Sequence, residues 1–168
     1  MNKILYFLIP IGMAWALLSN SGGAAAVQNV DRTSSPLGVG SCGSCHSGGN
    51  YSPVISVELL DNNTVVSKYS PGKLYQVKVS IAAGNNPRGY GFQLVSLSGN
   101  NNIQGGNFGN APAGFNKINL DNRVYVEHSS TRSSGSFVIP WTAPAVGTGS
   151  VRFYSAGVAV NGSGGSGG

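Results

Sequence analysis

The stretch "KLYQVKVSIA", residues 73–82, alternates with a period of two: Tyr75, Val77, Val79 and Ile81 fall on one side, and Gln76, Lys78 and Ser80 on the other. A helix would scatter these apolar side chains around its circumference, whereas a pleated strand gathers them on one face. The pattern predicts a half-buried strand of an antiparallel sheet. "VISVELL" repeats it, with Ile55, Val57 and Leu59 opposite Ser56 and Glu58. Further strands are expected over 89–98, 123–129, 136–142 and 150–160. In 136–142, Phe137, Ile139 and Trp141 share a face, while Pro140, which has no N–H to donate, suggests an edge or a bulge. Asp61-Asn62-Asn63 and Ser70-Pro71-Gly72 supply turn chemistry. Residues 99–114, rich in Asn and Gly, read as a long loop with one short edge strand. The sum is an all-β fold, an antiparallel β-sandwich over 53–160 without internal repeats.

Composition narrows the class. The 168 residues suffice for one domain with a core, and 26 glycines with only 9% charged residues suit a turn-rich exported domain better than a helical bundle. Residues 1–26 read as a signal peptide: Lys3 gives a basic start, Ile4 to Leu18 is apolar but short for a membrane span, and Ala24-Ala25-Ala26 supplies small residues for cleavage before Val27 or a few residues earlier. An uncleaved anchor is the alternative. After cleavage no integral membrane span is expected, and the destination is periplasmic, cell-surface or extracellular. Removing Lys3 takes the basic count from 10 to 9 against 5 acids. The remaining Lys and Arg never cluster, which excludes a nucleic-acid surface. Residues 161–168 read as a Gly/Ser-rich, disordered tail.

Between leader and sandwich, residues 27–52 form a Pro-, Gly- and Ser-rich lead-in, expected to be extended and irregular. It contains "SCGSCHSGG", with both cysteines of the chain and one of its two histidines. Cys-x-x-Cys-His is the c-type haem attachment motif. The spacing lets Cys42 and Cys45 reach the two vinyl groups on adjacent edges of one porphyrin face while His46 comes under the iron. A Cys42–Cys45 disulfide is an alternative that an exported compartment permits. A redox-active pair favours a helix N-terminus in a βαβ unit, which is lacking here. A structural zinc site wants four ligands, and there is no third cysteine.

His128 is the other histidine, and both methionines, Met1 and Met13, lie in the leader. In "RVYVEHSS" Val124, Val126 and His128 share a face, with Tyr125 and Glu127 on the other. His128 is therefore the candidate sixth ligand of an iron held by His46. The competing reading is a partly buried histidine bonded to a backbone carbonyl.

The order "DRTSSPLGVGSCGSCHSGG", "YSPGKLYQVKVSI", "GYGFQLVSL", "EHSS" and "FVIPWTAPAVGTGSVRFYSAGVAVNGSG" resembles the reeler-like, choice-of-anchor V domains of exported bacterial proteins. The resemblance covers most of residues 31–164. It implies an immunoglobulin-type or reeler-like sandwich behind a Cys-x-x-Cys-His lead-in, and Cys42, Cys45, His46, His128 and Trp141 match its pattern. Relatives continue past the Gly-Ser run to a further strand, so this chain is expected either to lack that strand or to be trimmed.

The expected function is an exported monohaem c-type module for electron transfer or haem binding at the cell surface. It would hold one covalent haem c through Cys42 and Cys45, with His46 and His128 at the iron. The expected partner is a redox protein or a neighbouring cytochrome, and self-association is open. No catalytic residues are expected, although an open haem face would permit peroxidase-type chemistry. The alternative is a non-haem adhesion or interaction module with a Cys42–Cys45 disulfide.

Overall fold

The computed structural model describes residues 21–46 and 48–163. Most of the expected leader and the last five residues of the tail lie outside that range. Ten strands form two antiparallel sheets. The first sheet has the order β2 (Thr64–Val66), β1 (Val54–Asp61), β3 (Leu74–Ala82), β9 (Ser136–Thr142), β6 (Asn107–Phe108). The second has the order β10 (Val151–Val160), β4 (Gly89–Ser98), β8 (Arg123–His128), β7 (Phe115–Leu120), with β5 (Ile103–Gln104) beside β4.

The alternation in β3 is realised: Tyr75, Val77, Val79 and Ile81 are buried, while Gln76 faces solvent. They meet Phe137, Ile139 and Trp141 of β9, and Phe92, Leu94 and Val126 of the opposite sheet, in one core. Phe92 stacks on Phe137 across the sandwich at 4.3 Å between ring centroids. The Trp141 indole donates to the Gly105 carbonyl at 3.0 Å, so its buried N–H is satisfied. Pro140 lies on an inner strand that is nearly an edge, because β6 pairs only with Trp141 and Thr142. Its carbonyl accepts from Gly109 N at 2.8 Å, so its ring nitrogen faces the short β6 side and not β3.

Two differences from the sequence reading stand out. Residues 99–114 contain two short strands, β5 and β6, instead of one, and β7 is an additional edge strand. The β7–β8 hairpin closes through Asp121-Asn122, both at positive φ (50° and 60°), as Asn62-Asn63 closes β1–β2. Such two-residue loops favour left-handed conformations that Asn and Asp tolerate. In β7, Asn and Lys occupy half of "FNKINL", and the alternation is correspondingly weak.

The second difference lies before the motif. Ala24–Gln28 form a short helix, α1, ended by Asn29 in the left-handed region (φ 54°). The helix and the following residues cover the outer face of the second sheet. Ala25 packs with Val95, Leu97 and Tyr125 in a second apolar cluster. The β4 strand is therefore buried on both faces over nearly its whole length. The cleavage position expected before Val27 falls inside this helix. No helix among the described residues is long and apolar enough to cross a membrane.

Val79 has no solvent exposure. Val79→Asp is expected to lower stability by at least ~3 kcal/mol, since the carboxylate would have no partner in the layer between the sheets. Gln76→Asp on the outer face should stay within ~0.5 kcal/mol. Urea denaturation of the two variants reads the difference, and equal midpoints would contradict the register.

Candidate functional site

The site begins with a buried carboxylate on the outer face of the second sheet. Gln93 of β4 and Glu127 of β8 are directly opposed in the ladder, and both are buried. Glu127 accepts from Ala25 N at 2.9 Å, Ala26 N at 2.8 Å and Gln93 Nε2 at 2.9 Å. The first-turn amides of α1, which have no partner within the helix, thus satisfy the charge. Gln93 extends the contact: its Nε2 also reaches the Val30 carbonyl at 3.1 Å, and its Oε1 accepts from Arg32 N at 2.6 Å. Next, Asp31 gathers Thr33 Oγ1 and Ser35 Oγ, each at 2.6 Å, and the Tyr125 phenol at 3.0 Å. Burial pushes the Tyr125 phenol up to about 12. The first half of the lead-in is therefore pinned to the sheet.

The second half carries the motif. Cys42–Ser44 form one 3-10 turn, capped by Ser41, whose Oγ accepts from Gly43 N at 3.2 Å. The Cys42 carbonyl then accepts from Cys45 N at 3.2 Å and His46 N at 3.0 Å. Closing the chain in this way brings residues i, i+3 and i+4 to one side. Cys42, Cys45 and His46 accordingly line a single cleft, and His128 lies in the same cleft, with Arg32 supplying a cation to its wall. All four residues singled out from the sequence thus come together.

His128 ends β8, and its ring occupies the place of the next ladder bond. Nδ1 lies 3.0 Å from Phe92 N and 2.9 Å from Phe92 O. With Nδ1 bare it accepts from the amide; with Nδ1 protonated it donates to the carbonyl. The second tautomer leaves Nε2 as the basic nitrogen, which is the arrangement that second-sphere carbonyls impose on metal-binding histidines. Gly91 makes room for the ring: a Cβ there would lie 2.7 Å from His128 Cε1. Gln93, Glu127, Gly91 and Arg32 were not singled out from the sequence. The only signal for them is the stretch Phe92–Leu97, where Phe92 and Leu94 on one face and Val95 and Leu97 on the other mark a strand covered on both sides.

Both cysteines are unbridged thiols; Cys42 is half-buried and Cys45 exposed. Burial pushes the Cys42 thiol up to about 12, from an ordinary value of 9.0. It is therefore a neutral thiol near pH 7, the reverse of a reactive redox cysteine. No three His, Cys, Asp or Glu side chains among the described residues converge at metal-binding spacing. That leaves no zinc site among them, but a haem iron takes only two protein ligands, and the thioethers bind the porphyrin, not the metal.

The donor set fits a haem c, with Cys42 and Cys45 for the vinyl groups and His46 and His128 for the iron. The space is another matter. The cleft encloses about 40 Å³, enough for one or two waters. A second cavity of about 170 Å³, lined by Gly157 and Val158 of β10, shares His46 with the first. Neither volume is that of a porphyrin.

In the haem-free, reduced protein, iodoacetamide is expected to modify Cys45 at least ~10-fold faster than Cys42 at pH 8, the thiolate being the reactive form. The Cys42 rate should still be climbing above pH 10. Equal rates would contradict the burial of Cys42.

No family model matches the chain, and no curated protein matches it. Among solved structures it is similar to the human F-spondin reeler domain, with 24% identity and a TM-score of 0.52 over 70% of this chain and 83% of that one. It is similar also to the Reelin-N domain of F-spondin, with 23% identity and a TM-score of 0.50 over 71% and 83% of the two chains. At that level of identity the likeness is one of backbone architecture, and the antiparallel sandwich described above has the reeler-like fold.

Proposed function

We propose that this chain is an exported, reeler-like β-sandwich module that carries one covalent c-type haem on its lead-in and serves in electron transfer. The observation that supports this reading most is the meeting of Cys42, Cys45, His46 and His128 in one cleft, although His128 is 82 residues beyond His46 in the chain. Cys42 and Cys45 would hold the porphyrin through thioethers, and His46 and His128 would ligate its iron. When bound, the group supplies a one-electron couple. The protein residues would hold and tune it: Phe92 O would accept from a protonated Nδ1 of His128 and leave Nε2 for the iron, Gly91 admits the ring, and Arg32 would offer a cation to an anionic ligand edge. Two imidazoles would fill the shell, which would suit a carrier better than a peroxidase and would lower the potential relative to a thioether ligand. The small enclosed volume is compatible with attachment to the unfolded chain during export, before the lead-in closes.

The same small volume favours a second reading, a non-haem interaction module whose Cys-x-x-Cys turn is closed by a disulfide. Production of the full chain with a c-type maturation system separates the two. The expected product is red, keeps its haem through acid-acetone extraction and denaturing electrophoresis, and is low-spin. His128→Ala should become high-spin and bind carbon monoxide, with the thioethers intact. A colourless wild-type protein lighter than the reduced chain by about two hydrogens, as a disulfide requires, would establish the second reading. A wild-type haem already high-spin would remove His128 from the iron.

A further inference from the structure

The segment that a leader-peptide pattern would discard is part of the folded domain. Ala25 is fully buried against Val95, Leu97 and Tyr125. Its amide and that of Ala26 are two of the three donors that satisfy the fully buried Glu127 carboxylate. Gly23 sits at φ 94°, where a Cβ would fall 2.3 Å from Glu127 Oε1, so the chain touches the carboxylate at the one residue type that permits the approach. Upstream of it, Asn116 Nδ2 of β7 donates to the Gly22 carbonyl at 2.7 Å. Ser21 is exposed and is the first residue without such a tie among the hydrogen bonds of this segment.

We infer that export processing cuts the Ser21–Gly22 bond, not a bond within Ala24–Val27, and that Gly22–Gln28 remains as the latch that closes the lead-in over the second sheet. The step is hydrolysis by a signal peptidase: one water is consumed, Ser21 leaves as the carboxyl end of the leader, and Gly22 gains the α-amino group. Ser19 and Ser21 supply the small residues three and one positions before the bond. Cleavage before Val27 would remove two of the three donors to the Glu127 carboxylate, together with the Ala25 side chain that covers Val95, Leu97 and Tyr125.

The test is the N-terminus of the exported protein, produced from the full precursor and read by intact mass and terminal sequencing. Gly22 is the expected first residue. Any later start, or an unprocessed chain, overturns the inference. A second readout concerns the latch itself. Exported forms made to start at Gly22 and at Val27 behind a heterologous leader should differ in Tm by about 10 °C, the shorter melting lower. Glu127→Gln should lower the Tm of the Gly22 form, because the amide presents one acceptor where three N–H groups converge. In the Val27 form the same substitution should leave it nearly unchanged, because the helix amides that the carboxylate serves are gone. An equal fall in both forms would mean that Gly22–Ala26 does not serve Glu127.

Discussion

The Glu127 carboxylate is the contact on which the arrangement of the site depends. A buried carboxylate is strongly unfavourable unless several N–H groups face it. Here they come from Gln93 on the neighbouring strand and from the first turn of α1. Neither sheet nor helix is complete without the other. The sheet would expose Val95, Leu97 and Tyr125 on its outer face, and a five-residue helix has no stability of its own. Once α1 is seated, Gln93 takes up Val30 and Arg32, and Asp31 folds the next residues over Tyr125. The chain reaches the Cys-x-x-Cys-His turn from a fixed starting point.

That path explains why the turn faces His128. Glu127 and His128 are successive residues of β8, so they point to opposite sides of the sheet. Glu127 holds the lead-in on the outer side, while His128 ends the strand with its ring against the Phe92 backbone. The second half of the lead-in lies over β10 near Gly157 and Val158. Holding is uneven along this segment. Residues 22–35 carry buried polar contacts, whereas residues around the motif are largely exposed. The turn is thus the part of the lead-in that can be lifted at least cost.

The sandwich was legible from the sequence because a period of two is a direct consequence of strand geometry, and the β3 and β9 patterns are nearly unbroken. That His128 lines the same cleft as the motif was a short step from the sequence, since the scarcity of histidine leaves few combinations. The latch was not. Ala24-Ala25-Ala26 satisfies a peptidase pattern and a helical turn equally well, and three alanines carry no sign of which partner they meet. Glu127 reads as an ordinary outward-facing strand residue, because local alternation does not report what a distant segment lays on that face. Val95 and Leu97, apolar on the face opposite Phe92 and Leu94, are the signal that β4 is covered twice. Edge strand β7 was missed because Asn and Lys dilute its alternation, although Asp121-Asn122 is a hairpin loop by composition.

The most direct measurement of the central claim is the nuclear magnetic resonance spectrum of ferric, matured protein labelled with nitrogen-15 in histidine only. With His46 and His128 on one iron, both imidazoles should show hyperfine-shifted ring nitrogens, and Nδ1 of His128 should keep its proton, bonded to Phe92 O. One shifted imidazole, or none, would contradict it.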